Sequence, residues 1–327
     1  MKKRTNPFQP IYQISHIGTP KEKLNSLSAF PGCIDVELTN KCNFRCLMCP
    51  TGLGSVRRKK GYMDDEVFNK ILKEIEYYKT PIRFIRMGEP LLHPKLIEYI
   101  LLLKSIGSLV HINTNGFLLN EEMMDNLIQV GLDSIKFSFQ GVDQKSYNEM
   151  RNKDFFDELL NRVRVLYKRR GDRDKPFIQA STTITYESPE QVKTFRESLN
   201  NDVDLLTVGR TILEHIDIEK CKLNDKERST LLHLKKQESV VKKYLECPEV
   251  FDKLAINWDG TVSACCWDYD NKMPIGDIKE KSLKQIWDSK RMNHFRHLLA
   301  DMRHNEIELC STCYDYHSLQ TPGLQGV

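Results

Sequence analysis

A short run of strand composition, Cys33-Ile34-Asp35-Val36-Glu37-Leu38, leads within three residues into a loop holding three cysteines, Cys42-Asn43-Phe44-Arg45-Cys46-Leu47-Met48-Cys49. In proteins built from βα units the chemistry sits in loops after the C-terminal ends of strands, and this loop is placed to be one. Three thiolates at C-x3-C-x2-C spacing can each take a different iron of a cubane [4Fe-4S] cluster, leaving the fourth iron open to an outside ligand. A structural zinc ion would be closed by a fourth protein ligand. The nearest downstream histidine, His93, is 44 residues beyond Cys49.

Outward from that loop, short apolar runs alternate with segments of helical period. Strands are expected at Cys33 to Leu38, Ile82 to Arg86, Leu109 to Asn113, Ser134 to Phe139, Phe177 to Ile184 and Asp204 to Val208. Helices are expected at Asp64 to Tyr78, Lys95 to Ser105, Glu121 to Val130, Phe155 to Lys168 and Pro189 to Leu199. Six such repeats describe an α/β protein, an open, partial (β/α)6 barrel of the TIM type over residues 33–210, preceded by an irregular arm at 1–32. Residues 211–246 are rich in Lys, Glu and Asp and read as a linker with exposed helices. Ala255 to Ala264 reads as a β-hairpin turning at the favoured pair Asp259-Gly260, within a small C-terminal unit spanning 247–327.

The chain has 327 residues, of which 40% are hydrophobic and 29% charged, enough for a large core without disulfides. Forty-nine basic against 45 acidic residues give a net charge of +4, too even a balance to announce a nucleic acid or a membrane surface as partner. The basic start, Met1-Lys2-Lys3-Arg4, is followed by Pro7 and Pro10 and by no apolar stretch of signal-peptide length. The longest apolar run, Ile100 to Leu103, is far below the roughly 20 residues that span a bilayer. A cytoplasmic protein is expected, and in a reducing compartment its 10 cysteines read as metal ligands or catalytic groups.

The C-x3-C-x2-C loop, Arg86-Met87-Gly88-Glu89-Pro90 after the second strand, Asn113-Thr114-Asn115-Gly116 after the third and Ser138-Phe139-Gln140-Gly141 after the fourth together resemble the radical S-adenosylmethionine (radical SAM) superfamily. The resemblance implies that Cys42, Cys46 and Cys49 hold a [4Fe-4S] cluster whose open iron binds S-adenosylmethionine, which is cleaved to a 5′-deoxyadenosyl radical. It implies that Gly88, Glu89 and Pro90 hold the methionyl ammonium, a cation for which a carboxylate is the natural partner. Asn115, Ser138 and Arg151 are expected around the rest of S-adenosylmethionine, as are Phe44 and Met48 within the loop. Met87 stands where the family has a first glycine, Gln140 where aspartate is commoner and Met48 where an aromatic is usual. Arg151 has a competing reading as an exposed salt bridge at a helix end.

A second set, Cys247, Cys265, Cys310 and Cys313, places twelve residues between Cys247 and Gly260, four between Gly260 and Cys265, and ends in a C-x2-C pair. On ligand type alone, four thiolates suit either a closed iron-sulfur cluster or structural zinc. With Ile275-Gly276-Asp277-Ile278 and Ser282-Leu283-Lys284-Gln285-Ile286-Trp287, the set is similar to the SPASM/twitch domain of radical SAM enzymes. No cysteine follows Cys313, which favours the shorter twitch form and one auxiliary [4Fe-4S] cluster.

Three cysteines remain. Cys221 has no assigned role; Cys33, in a strand, is expected to be a small buried hydrophobe, and Cys266, next to Cys265, is expected on the opposite side of its strand, while either of these two is a hydrogen-atom donor if it faces substrate. Arg210 and Glu214 past the sixth strand, and Trp267 and Asp268 past Cys265, are candidate substrate contacts. The expected reaction is oxidation of a small polar substrate, such as a sugar or aminocyclitol derivative, with the auxiliary cluster accepting an electron. A reductase such as flavodoxin or ferredoxin is the expected electron donor. Only 32 residues precede Cys33, too few for a leader-peptide-binding domain, which weighs against peptide modification. Epimerisation is a further alternative, and a non-enzymatic Cys-rich zinc protein is the alternative of another class.

Overall fold

The inner face of the barrel is polar, and that explains the alternating strand pattern. A computed structural model of the chain describes residues 4–15, 17–213, 216–237, 242–244, 247–313 and 317–319. The barrel strands are β1 (Cys33–Val36), β2 (Ile82–Phe84), β3 (Val110–Thr114), β4 (Ser134–Ser138), β5 (Phe177–Ile184) and β6 (Leu205–Arg210). They pair in parallel and in chain order, from β1 with β2 to β5 with β6. A sheet covered on both faces by helices would read as unbroken apolar runs. Here Ile34, Val36, Ile82, Phe84, Val110, Ile112, Ile135 and Phe137 are fully buried, each contributing about 1.5–3 kcal/mol. The alternate positions Asp35, Arg83, His111 and Lys136 share the other face, turned into the barrel.

The helices α3 (Asp65–Ile75), α4 (Leu96–Ser105), α5 (Glu121–Gln129), α6 (Gln144–Arg151), α7 (Phe156–Arg170) and α8 (Pro189–Leu199) join successive strands. Side chains cap most of them: Asp64 accepts from the Val67 N–H, Asn120 from Met123, Asp143 from Ser146 and Ser188 from Gln191. Each cap contributes about 1 kcal/mol.

The N-terminal arm departs from expectation. It is not irregular but forms α1 (Gln9–Ser15) and α2 (Pro20–Asn25), the latter entered through a Thr19–Glu22 capping box. Phe8 is fully buried with its ring 5.4 Å from that of His111, and Tyr12 lies 5.6 Å from the Arg83 guanidinium. The arm therefore closes the barrel where strands begin.

The linker departs as well. Its helix α9 (Asp225–Gln237) buries Glu227, Leu231 and Leu234, and the latter two form a small core with Leu47, Leu53, Met150, Leu213 and Ile216. The segment is a clamp on the cysteine loop, invisible in a composition dominated by charge. Beyond it, β7 (Lys242–Tyr244) pairs antiparallel with β11 (His317–Leu319).

The C-terminal strands β8 (Lys253–Ile256), β9 (Thr261–Ser263) and β10 (Pro274–Asp277) extend the barrel sheet, because β8 pairs in parallel with β1. The resulting nine-stranded sheet is joined by α10 (Glu249–Asp252), α11 (Leu283–Trp287) and α12 (Lys290–Ala300). The β8–β9 turn has three loop residues, Trp258, Asp259 and Gly260, not the expected two: Asn257 pairs with Thr261, and Gly260, at φ +93°, donates its N–H to the Asn257 carbonyl. β9 ends at Ser263, so Cys265 and Cys266 lie in a turn and the expected alternation across a strand does not apply to them. Among the described residues no helix is long and apolar enough to cross a membrane.

Candidate active site

Three sharp loops bring the sequence motifs onto one cavity of about 270 Å³. Cys42, Cys46 and Cys49 line it, as do Phe44, Met48, Gly88, Glu89, Pro90, Asn115, Ser138 and Arg151. The polypeptide leaves β1 through Thr39 and Asn40, whose side chains donate to the carbonyls of Gly61 (2.6 Å) and Lys59 (2.8 Å) and fix where the cysteine loop begins. At its far end the chain folds back so closely that a Cβ on Gly52 would lie 2.2 Å from the Cys46 carbonyl oxygen. Only glycine fits there. Arg45 forks onto Glu227 of α9 with both bonds at 3.2 Å, and Leu47 donates its N–H to the Met150 carbonyl.

Gly88 has φ +93°, and a Cβ there would meet the Thr39 and Lys41 carbonyl oxygens at 2.2 and 2.8 Å. This glycine lets the second loop lie directly on the first, and Glu89 then donates its N–H to Lys41. The Glu89 carboxylate is 2% exposed and accepts three hydrogen bonds, from the Leu91 N–H (3.1 Å), the Thr114 hydroxyl (2.7 Å) and the Asn115 N–H (2.9 Å). Burial pushes its carboxyl upward even so. Asn115 donates to Asn43 at 2.9 Å, tying the third loop to the cysteine loop.

Arg151 is 5% exposed, which removes its reading as a surface salt bridge. Its guanidinium donates to the carbonyls of Phe139 (2.5 Å) and Ser138, and to Cys46 Sγ (3.2 Å). It thus serves as a permanent cation beside a thiol. Gln140, at φ +86°, accepts from the Thr183 hydroxyl, so it is held by β5 and takes part in the turn as well as the cavity wall.

The donor set fits the cofactors that the motifs imply. Burial pushes the Cys42 thiol up to about 12 and the Cys49 thiol upward, so these groups become ligands only when a bound cation displaces their protons. Among the described residues no three Cys, His, Asp or Glu side chains converge on a single ion position. The thiols are instead distributed around one cavity wall, which suits a cluster in which each takes a different iron.

The second set is packed differently. Cys247 and Cys265 pack against the main core, where Cys310 is buried with its Sγ 4.0 Å from Met273 Sδ. Burial raises the Cys247 thiol and takes that of Cys310 to about 12. Asp268, expected to reach substrate, is fully buried: it accepts from the Ser263 hydroxyl (2.6 Å) and from the N–H groups of Met273 and Lys272 (both 2.8 Å), pinning the turn that carries Cys265. Trp267, in that turn, does reach the first cavity.

Arg210 and Cys266 do not line that cavity. Arg210 ends β6, with Nη1 3.4 Å from the Thr185 carbonyl and a buried Nε that has no hydrogen-bond partner among the described residues. Cys266 donates to Glu249 (3.4 Å), which is itself paired with Lys253 (2.6 Å). Glu214 lies outside the described residues. The residue that sequence reasoning passed over is Arg86, quoted within its motif but given no role. It has φ +98° and donates to the carbonyls of Cys265 (3.1 Å), Cys266 (3.2 Å) and Asp268 (2.8 Å) and to Asn257 Oδ1 (2.9 Å). Its signal was a charged residue just past a strand end, one residue ahead of Gly-Glu-Pro.

This fold and this site define a radical enzyme with an accessory iron-sulfur unit. The family model of the radical SAM superfamily matches residues 36–199 and that of an iron-sulfur cluster-binding domain, SPASM, matches residues 247–314. The chain belongs to the radical SAM superfamily. Its cofactors are accordingly S-adenosylmethionine, the [4Fe-4S] cluster that binds it and an auxiliary cluster in the SPASM region, and the non-enzymatic zinc reading is set aside. A cofactor-modifying protein for tungsten-containing aldehyde ferredoxin oxidoreductase, from Pyrococcus furiosus, is 26% identical over 84% of this chain and 86% of that one. An S-adenosyl-L-methionine-dependent 2-deoxy-scyllo-inosamine dehydrogenase from Niallia circulans is 24% identical over 88% of this chain and 94% of its own. The crystal structure of Streptococcus suis SuiB bound to the precursor peptide SuiA shares the fold, with a TM-score of 0.64, 15% identity, and 89% of this chain and 72% of that chain covered.

Proposed function

We propose that this radical SAM enzyme is a dehydrogenase that oxidises a hydroxyl-bearing carbon of a small polar substrate, such as a sugar or aminocyclitol derivative. Cys42, Cys46 and Cys49 would hold the cluster that supplies the electron for reductive cleavage of S-adenosylmethionine, and Cys247, Cys265, Cys310 and Cys313 would hold the auxiliary cluster that accepts the second electron of the oxidation. Glu89 holds the methionyl ammonium, its carboxylate oriented by Thr114 and Asn115. Ser138 and Asn115 face the remainder of the cofactor, Phe44 and Met48 wall its adenosyl end, and Arg151 compensates the charge at Cys46.

The observation that carries the reading is the junction at Arg86 and Trp267. One guanidinium at the edge of the first cavity is bonded to the carbonyls of Cys265 and Cys266, and Trp267 forms part of the cavity wall. An electron acceptor held by Cys265 would thereby be linked through Arg86 and Trp267 to the wall of the cavity in which the substrate would react. The dehydrogenase relative, aligned over most of both chains, supports the same chemistry. A reductase such as flavodoxin or ferredoxin would supply the first electron.

Anaerobic incubation in D2O with S-adenosylmethionine, a reductant and a panel of sugar and aminocyclitol derivatives tests this. The expected outcome is one 5′-deoxyadenosine per ketone, with no solvent deuterium at the oxidised carbon. An isomerised product carrying one solvent deuterium would establish epimerisation instead, and turnover of peptides alone would establish peptide modification.

A further inference from the structure

One charged group on the inner face of the barrel, Lys136, has no hydrogen bond or ion pair of its own among the described residues, and the one acid whose charge favours it, Asp35, is already paired with Arg83. Lys136 stands on β4 between Ser134, which bonds His111 inside the barrel at 3.0 Å, and Ser138, which lines the cavity. In register it lies beside Asn113 of β3, another cavity residue, and Gln179 of β5. Lys136 is partly accessible, and among the described residues no hydrogen bond or ion pair holds its amine. The charged and titratable groups around it are few. Asp35 of β1 has both carboxylate oxygens taken by Arg83 of β2, at 2.6 and 2.7 Å. Tyr12 of α1 lies against that same Arg83. His111 of β3 is bonded at both ring nitrogens, and burial pushes it down to about 3, so it is neutral. Gln179 and Thr207, from β5 and β6, bond each other at 3.3 Å and carry no charge. A protonated lysine here leaves the interior one positive charge in excess, so burial first, then the Arg83 charge, push its amine down to about 8.

We infer that Lys136 is the catalytic base of the oxidation, receiving the hydroxyl proton of a substrate that extends from the cavity toward the barrel interior. The assignment rests on the dehydrogenase reading. The hydrogen atom on the carbinol carbon leaves with one electron to the 5′-deoxyadenosyl radical, forming the C–H bond of 5′-deoxyadenosine. The O–H bond breaks heterolytically and its proton goes to the Lys136 amine, which becomes an ammonium. The remaining electron passes to the iron-sulfur acceptor and the C=O bond forms, completing a two-electron oxidation. A group at the protonation balance of Lys136 is suited to this near neutrality, since a general base works best when its pKa lies close to the working pH.

The test uses the reconstituted enzyme and whichever alcohol the wild type oxidises, with Lys136→Met and Lys136→Arg variants, iron content and melting temperature confirming that each is folded and loaded. Ketone formation by the wild type should rise with pH and level off above about 8. Both variants should lose on the order of a hundredfold or more and lose that pH limb, and methylamine should restore part of the rate to Lys136→Met. Retention of the rate by Lys136→Arg would mean that the position supplies a cation for an anionic substrate group, and would overturn the proposal. So would a wild-type rate and pH limb in Lys136→Met. A second readout needs no activity: in the lysine-labelled chain without cofactors, the 13Cε resonance that Lys136→Arg removes should titrate near 8, and titration above about 10 would overturn the assignment. Failure of the wild type to oxidise any alcohol would instead overturn the dehydrogenase reading, a result distinguishable from wild-type turnover matched by the variants.

Discussion

The two cysteine sets use the same ligand in opposite surroundings. Cys42, Cys46 and Cys49 face a cavity that also collects a buried carboxylate, an amide, a hydroxyl and an arginine. Cys247, Cys265 and Cys310 are packed against the apolar core, and polar groups near them, such as Asp268, are spent on backbone N–H groups. On the proposed assignment, three ligands beside polar space would leave a position for a reactant, whereas four ligands, three of them packed against the apolar core, would leave none, which suits a group that only exchanges electrons. The contrast also separates what mutation should do at each site.

The largest effect is expected from Cys42→Ala. It should abolish 5′-deoxyadenosine formation, by at least about a thousandfold, with or without substrate, as chromatography of the nucleoside products would show. Cys247→Ala should break the other half: iron content falls and ketone formation is lost while 5′-deoxyadenosine is still produced, uncoupling two events that the dehydrogenase reading requires at one to one. Turnover to ketone in that variant would mean that the second site has no redox part.

Glu89→Gln should weaken S-adenosylmethionine binding. Loss of a charge-assisted contact of about 1.5–3 kcal/mol raises the KM for S-adenosylmethionine by about 10- to 100-fold, with the iron content unchanged. Gly88→Ala tests the contact between the loops. A left-handed residue whose Cβ meets two carbonyl oxygens should destabilise the fold by at least about 2 kcal/mol, read from denaturant unfolding.

The smallest effect belongs to the clamp. Its bond with Arg45 lowers the Glu227 carboxyl below the ordinary range, so its contribution is present above about pH 4 and fades as the pH falls through the folded-state value. Because Arg45 is half-exposed, Glu227→Gln should cost no more than about 1 kcal/mol at pH 7, a difference that disappears in acid unfolding experiments.

The barrel strands and helices were legible because their periodicity is strong, and the cavity residues because the resemblance to the radical SAM superfamily marked Cys42, Glu89, Asn115 and Ser138 at or just past the ends of successive strands. What was hidden depends on long-range contacts. The charge-rich linker reads as solvated until Leu231 and Leu234 are seen against Leu47 and Leu53. The pairing of β8 with β1 joins residues more than 200 positions apart. Asp268 follows a ligand cysteine and looks functional, but nothing local shows that β9 ends at Ser263 and that the turn beyond it needs an internal acceptor. Arg86 and Lys136 were visible as charges in otherwise apolar strand surroundings, a pattern whose meaning emerges only when the opposing wall is known.

The most direct test of the division between an open and a closed site is electron paramagnetic resonance of the reduced, reconstituted protein, recorded with and without S-adenosylmethionine for the wild type and for a Cys42→Ala, Cys46→Ala, Cys49→Ala triple variant. The account predicts that S-adenosylmethionine alters the wild-type signal and leaves the remaining signal of the triple variant unchanged. A triple-variant signal that still responds to S-adenosylmethionine would contradict it.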